Sequence, residues 1–305
     1  MSLQTPEKEP SVRGYSSNQA SVFAGPVLDE AGFAAAAEAF HRDGYFIARG
    51  LFSPEEVADL NETFMKMHAD GGVPGFYEPA TAMDRDKEYG IKVLENDPLV
   101  KYPRVMHPHR FNEKARRYLT HPKVAAYLEQ FMGGEPVATQ SMYYFKPPGA
   151  RGQAIHQDNY YLLVQPGTCC AAWTALDDCD AENGGLMVVP NTNDMELVCP
   201  EKADAQLSYT VERVPIPKGK RPVPADMKAG DTLFFNGNVL HGSGPNRSKT
   251  RFRRSFICHY AKGDLERISR YYTPVVSMDG RDITTVDTNP SGGPCGSEWE
   301  GAPGA

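Results

Sequence analysis

Long apolar runs are missing from this chain: none approaches the roughly 18 residues that a membrane-crossing helix needs. The first ten residues, Met1-Ser-Leu-Gln-Thr-Pro-Glu-Lys-Glu-Pro10, contain no basic stretch followed by an apolar core, so no export signal is expected. Positive charge is in short supply. With 32 Lys+Arg against 39 Asp+Glu the formal net charge is −7, a poor match for nucleic acid or an anionic bilayer. Cysteine is sparse, and Cys169, Cys170, Cys179, Cys199, Cys258 and Cys295 fall into no zinc-binding spacing. Without an export signal all six read as reduced thiols, which makes the cytoplasm the expected location. Internal repeats are absent too. What remains is ordinary globular composition, 40% hydrophobic and 23% charged over 305 residues, enough to bury a large core.

The chain divides by pattern. Residues 1–25 are polar with scattered Pro, Gly and Ser, and read as a loosely held arm. Asp29 is placed to cap a helix carrying Phe33, Ala36, Ala37 and Phe40, and Tyr45–Arg49 to form a short strand. Ser53-Pro-Glu-Glu56 is a helix start with a reason at each position. It has a hydroxyl at the cap, a proline where no N–H is needed, and a glutamate that can reach back to the cap. Val57, Leu60, Phe64 and Met67 then share one face until Gly71-Gly72. Residues 73–112 show no clean period and read as a long loop with short elements, which holds Lys92, Arg104, His107, His109 and Arg110. Helices are expected again over Glu113–Leu119 and Pro122–Met132.

From Val137 the character switches to short β-rich segments separated by Pro, Gly and Asn turns. They are Thr139–Lys146, Gln153–Val164, Cys170–Leu176, Gly185–Val189, Asp231–Phe235 and Phe252–Ala261. Helices first and many short strands after predict an α+β chain with a double-sheet jelly roll. The expected division is one domain over residues 26–288, helical to about 135 and jelly roll over about 136–262, followed by a Gly/Pro-rich tail at 289–305 in which Trp299 is a candidate anchor.

Two stretches carry chemistry. Gln153-Ala-Ile-His-Gln-Asp-Asn-Tyr-Tyr161 sets His156 and Asp158 two apart in a segment with strand character. Residues i and i+2 of a strand share a face, so an imidazole nitrogen and a carboxylate oxygen are expected to point into one space. A surface strand with an incidental ion pair would read the same way. The second stretch, Ala229 to Gly244, ends an apolar strand on His241. Two histidines and one carboxylate on one face of an octahedral metal leave the opposite face open, the pattern of non-haem iron oxygenases. Beyond His241, Arg253 and Arg254 open an alternating strand, so one of the two should point inward. A buried guanidinium needs an anion, and its fork fits a carboxylate. A keto diacid such as 2-oxoglutarate answers both requirements, with its keto-acid end for the metal and its far carboxylate for the arginine.

Lys146-Pro-Pro-Gly149, His156-Gln-Asp158, Ala172-Trp-Thr-Ala175, Glu182-Asn-Gly-Gly185 with Val188-Val-Pro190, His241-Gly-Ser-Gly244 and Phe252-Arg-Arg254 with Cys258-His-Tyr260 follow one another within residues 90–262. In this order they resemble the phytanoyl-CoA dioxygenase family of iron(II)- and 2-oxoglutarate-dependent oxygenases. The resemblance implies a double-stranded β-helix core with His156, Asp158 and His241 as catalytic iron ligands. It implies Arg253 rather than Arg254 for the cosubstrate carboxylate, and Ser243, Trp173, Gln157, Met142 and Lys92 around the cosubstrate. Read without it, Trp173 is a core aromatic and Ser243 a turn residue. It further implies O2-dependent hydroxylation of a small-molecule substrate with release of succinate and CO2. Desaturation, ring formation or demethylation would use the same residues. Asp158 fills the place that related halogenases leave to chloride, which favours hydroxylation.

The expected substrate contacts are Tyr160, Tyr144, His109 and Arg104, with Tyr143 and Tyr161 as further pocket candidates. An acyl-CoA is the family's namesake substrate, but the acidic composition shows no sign of a site for a polyanionic tail. A small metabolite or natural-product intermediate is therefore expected. The competing readings are a jelly-roll binding protein without redox turnover, and a cupin-type isomerase or hydrolase that would turn over without 2-oxoglutarate.

Overall fold

A computed structural model describes residues 28–78, 104–289 and Cys295. The expected arm, Lys92 and Trp299 lie outside the described residues.

Helix α1 (Glu30–Asp43) starts on Asp29, whose side chain accepts from the Gly32 amide at 2.8 Å. It ends at Gly44, φ 87°, where a Cβ would stand 2.6 Å from Val239 Cγ2. Strand β1 (Tyr45–Ala48) follows, then α2 (Pro54–Ala69). Its capping box forms as read: Ser53 Oγ accepts from the Glu56 amide, and Glu56 Oε2 accepts from the Ser53 amide. The long loop carries short elements as expected: β2 (Tyr77–Glu78), β3 (Arg104–Met106) and a 3-10 turn at Pro108–Arg110. Helices α3 (Glu113–Leu119) and α4 (Pro122–Met132) start on the Asn112 and His121 side chains.

The strands that follow are β4 (Pro136–Tyr144), β5 (Gln153–His156), β6 (Cys170–Ala175), β7 (Leu186–Val188) and the pair β8 (Glu201–Lys202) and β9 (Glu212–Arg213). After them come β10 (Val223–Pro224), β11 (Thr232–Asn236), β12 (His241–Ser243) and β13 (Ser255–Lys262). The last are β14 (Arg267–Ser269), β15 (Val275–Ser277), β16 (Asp282–Ile283) and β17 (Asp287–Asn289).

Two sheets make the expected jelly roll. The larger runs β1-β11-β6-β13-β4-β15-β16, with β3 also on β4 and β2 on β3; the smaller runs β10-β7-β12-β5. Alternation along the larger sheet separates two cores. Tyr143, Phe145, Phe234 and Phe256 face the helices, where Phe64 stacks on Tyr143 at 4.2 Å and Phe40 on Phe131 at 4.3 Å. Met142, Tyr144, Trp173, Phe235 and Ile257 face the smaller sheet and pack with its Leu186 and Val188. Each large side chain removed from water stabilises the fold by about 1.5–3 kcal/mol, so both layers are needed to hold the sheets together.

Two expectations are corrected. The strand read over Gln153–Val164 stops at His156, because its partner β12 is only three residues long and pairs with β5 no further than His156. Asp158 has helical φ −64° and ψ −38° and opens the one-turn helix α5 (Asn159–Leu162). The cysteines are not all thiols: Cys199 is bonded to Cys295, while Cys169, Cys170, Cys179 and Cys258 are free and buried. The bonded pair lies 96 residues apart, a separation that leaves no local pattern, and the cytoplasmic expectation loses that support. Among the described residues no helix is long and apolar enough to cross a membrane.

Candidate active site

His156 ends β5 and His241 opens β12, and the two are direct cross-strand partners with ring centroids 4.1 Å apart. Each ring is oriented by its own backbone: His156 Nδ1 donates to Ala154 O at 2.8 Å and His241 Nδ1 to Val239 O at 2.9 Å. That assignment of tautomer leaves both Nε2 atoms as lone-pair donors. Both stand 3.4 Å from Asp158 Oδ1. The three side chains are buried and each offers one ligand atom, all within 4.8 Å of one another. Two neutral imidazoles and one carboxylate aimed at a common point fit a divalent transition metal.

Asp158 is held from behind. Its Oδ2 accepts from His259 Nε2 at 2.8 Å, which turns Oδ1 toward the two histidines. Burial alone would raise the Asp158 carboxyl. When no metal is bound and the histidines can take up protons, their positive charge, that of His241 before that of His259, outweighs it and holds the group well below the usual carboxylate range. His156 is lowered by burial and by His241, whereas Asp158 overcomes the burial of His241 and raises it.

The adjacent arginines part company. Arg254 grips Asp177 through Nε at 2.9 Å and Nη2 at 2.6 Å. Arg253 is 4% exposed, donates to Gly184 O and Ser255 Oγ, and has no carboxylate partner among the described residues. Its guanidinium carbon stands 5.2 Å from the Trp173 ring centre and 5.9 Å from that of Tyr144, two side chains that line the cavity in front of the histidines. A second buried cation adjoins it: Lys146 Nζ donates to Ser243 Oγ at 2.9 Å and Gly244 O at 2.7 Å. Burial, then Arg253, holds that amine well below its usual range. Gly184 has φ +73°, and a Cβ there would lie 2.6 Å from Gly244 O and 2.8 Å from Lys146 Cε, so this turn closes over the two cations only as glycine.

Strand register orders the cavity. Ser255 is level with Tyr144, Ile257 with Met142 and Trp173, and His259 with Gln140 and Ala171. At about 3.3 Å per residue, the Ser255 and His259 rows are separated by roughly 13 Å. Asp158 belongs to the His259 end and Arg253 to the Ser255 end, with Met142, Ile257 and Trp173 between.

Of the residues expected around the cosubstrate, Met142 and Trp173 line the cavity and Ser243 is held beside Arg253 by Lys146. Gln157 does not join them. Its amide donates to Glu196 O and Asn238 O and accepts from the Val198 amide, tying two loops to the backbone. Among the expected substrate contacts Tyr144 lines the cavity. Arg104 sits behind it, donating to its hydroxyl at 3.1 Å. Tyr160 faces a separate cleft with Gln157 and Pro200, and Tyr161 lines the cavity in its place, because the chain turns helical after His156. His109 bonds Ser141 Oγ at 2.7 Å, in phase with Tyr143 on the helix side of β4, and does not line the cavity. His259 went unread, although an inward Arg253 places 255, 257 and 259 on the same face. Gln153, whose Nε2 lies 3.1 Å from His156 Nε2, gave no signal.

The phytanoyl-CoA dioxygenase (PhyH) family matches residues 40–255. Peroxisomal phytanoyl-CoA dioxygenase of Homo sapiens is 31% identical over 237 residues, covering 75% of this chain and 68% of that protein. The epimerase SnoN, solved with Fe3+, alpha ketoglutarate and nogalamycin RO, superposes with a TM-score of 0.61 over 90% of this chain and 97% of its own; at 20% identity this likeness speaks to the fold. AviO1 from Streptomyces viridochromogenes Tue57 gives a TM-score of 0.56 at 26% identity, covering 78% of this chain and 98% of its own. The motifs, the fold and the match over more than half of the sequence agree, and the chain belongs to the phytanoyl-CoA dioxygenase family of iron(II)- and 2-oxoglutarate-dependent oxygenases.

Proposed function

We propose that this enzyme hydroxylates an unactivated C–H bond of a small metabolite or natural-product intermediate. One O2 and one 2-oxoglutarate are consumed; one oxygen atom enters the C–H bond as a hydroxyl, and the other leaves in succinate as CO2 is released. The observation that carries this reading is Arg253, a buried guanidinium with no carboxylate partner among the described residues, set behind the cavity that His156, Asp158 and His241 face. Leaving a buried cation unpaired is costly, and a dicarboxylate's far end satisfies it.

His156, Asp158 and His241 would hold the iron, which when bound supplies O2 activation at the expense of 2-oxoglutarate. The backbone carbonyls of Ala154 and Val239 fix which nitrogen each histidine presents, and His259 fixes which oxygen Asp158 presents. Arg253 and the Ser243 hydroxyl, itself oriented by Lys146, receive the far carboxylate; Trp173 and Met142 wall the cosubstrate off from water. Lys92 is proposed as a further cosubstrate contact. The presence of Asp158 supports hydroxylation over halogenation, and the net charge of −7 supports a small molecule over nucleic acid, an anionic membrane or a CoA thioester. Residues 26–288 are proposed as one oxygenase domain.

Succinate formation tests the reading directly. The iron-loaded protein should release succinate from 2-oxoglutarate under O2, and His241→Ala should reduce this by more than about a hundredfold, since even outer-shell changes at metal sites cost about 10–100-fold. Turnover of a substrate without 2-oxoglutarate would point instead to an isomerase or hydrolase.

A further inference from the structure

The end of the cavity away from Arg253 holds polar side chains with no hydrogen-bond partner among the described residues. Gln140 and Tyr272 are each 2% exposed and both line the cavity. Among the described residues neither the Gln140 amide nor the Tyr272 hydroxyl has a hydrogen-bond partner, and both polar ends are open to the cavity. His259, level with Gln140 across β4 and β13, gives its Nε2 to Asp158 and leaves Nδ1 buried without a partner. Polar groups in a nearly closed cavity are normally paired by protein, water or ligand, and a group that keeps no protein partner is free to bind what enters. Two such groups facing one cavity, on the same side as the metal-site carboxylate, describe a place completed by a ligand.

The chemistry of that ligand follows from the groups around it. Gln140 offers a donor and an acceptor, Tyr272 a hydroxyl that does both, and neither is charged. Among the described residues lining the cavity there is no lysine or arginine, and the one acid is Asp158. The lining itself supplies no cation to a carboxylate or phosphate, and Arg104, whose charge reaches Tyr272 from behind the lining, is fully buried and donates to the Tyr144 hydroxyl. A hydroxyl or carbonyl can be matched from both sides by Gln140 and Tyr272. Leu162 and Ile257 line the same cavity and suit the carbon skeleton that carries it.

We propose that Gln140 and Tyr272 recognise the primary substrate through a neutral oxygen group, a hydroxyl or carbonyl close to the C–H bond that reacts. The substrate is then an uncharged, oxygen-bearing small molecule. This rests on the oxygenase reading, and the test keeps the two apart.

Anaerobic protein loaded with iron(II) and 2-oxoglutarate is titrated with neutral hydroxylated probes (myo-inositol, glucose, naringenin) and with anionic ones (glucose 6-phosphate, citrate, palmitoyl-CoA). Binding is followed by the change in the visible charge-transfer band. At least one neutral probe should shift the band, and Gln140→Leu and Tyr272→Phe should each weaken that probe about tenfold. Both variants should retain the band itself, which shows that the fold and the cosubstrate site survive. A response to anionic probes alone, a response to neither group, or unchanged neutral-probe binding in both variants would overturn the proposal. A wild-type protein without any band would overturn the oxygenase reading as well, and is a separate result.

Discussion

The two faces of β4 and β13 are made from alternate residues of the same strands, yet they are built to opposite rules. On the helix side Tyr143 and Phe256 pack among aromatic rings, and the tyrosine hydroxyls there are satisfied. Tyr143 donates to Asn61 Oδ1 at 2.9 Å, and Tyr260 to Leu119 O at 2.7 Å. On the cavity side, among the described residues, Gln140 has no hydrogen-bond partner, His259 is bonded to a buried carboxylate, and Arg253, just before β13, meets no carboxylate. One face is built mainly from contacts that stabilise the fold. The other keeps groups that destabilise the free protein and are completed only by ligands, which is where local rules are expected to be broken for function.

Substitutions on the two faces should therefore separate stability from chemistry. The largest effect is expected on the helix face. Phe64→Ala removes a fully buried ring stacked on Tyr143 and should cost about 3–5 kcal/mol in urea unfolding, with 2-oxoglutarate affinity of the folded fraction unchanged. A parallel loss of affinity would show that the faces are coupled. On the cavity face His259→Ala should leave the unfolding midpoint nearly in place but weaken iron(II) binding by about 10–100-fold, because Asp158 loses the partner of its second oxygen. Iron titration followed by the visible band checks this, and unaltered affinity would remove His259 from the site.

The effect that is smallest near neutral pH is graded with pH and again belongs to the helix side. His109 is pushed down to about 3, by burial and then by Arg110 and Arg116, and burial lowers His107 in the same direction. The unfolded chain takes up these protons below about 6.5, whereas folded His109 does so only near its lowered value. Stability from this source is complete above pH 6.5 and is lost as pH falls toward 3, at no more than about 1.4 kcal/mol per pH unit for each group. Unfolding at pH 7.5 and pH 5 should show this slope, and His109→Gln should flatten it.

Much of this division was legible in the sequence because it rests on local periodicity. The Ser53 capping box, the helix through Phe64 and the strand alternation that sends one of two arginines inward are all short-range patterns. The pairing of His156 with Asp158 was right for a partly wrong reason: the carboxylate arrives by a helical turn, not by strand alternation. That same turn exchanged Tyr160 for Tyr161 at the cavity and sent Gln157 to the backbone of two loops. The Cys199–Cys295 bond was invisible because nothing local links residues so far apart. Gln140 and Tyr272 were silent for a different reason: what marks them is a missing partner, which only a folded cavity reveals.

Arg253 and Arg254 give the sharpest contrast, adjacent in sequence and opposite in surroundings. Anaerobic titration of the iron(II) protein with 2-oxoglutarate, read by its visible charge-transfer band, compares wild type with Arg253→Met and Arg254→Met. A saturable band should form in the wild type, persist with little change in Arg254→Met, and need on the order of a hundredfold more 2-oxoglutarate in Arg253→Met, as expected for loss of a buried charge partner. Equal affinity in the wild type and Arg253→Met, or no band in any of the three, would contradict a cosubstrate held between the histidine–aspartate site and that buried guanidinium.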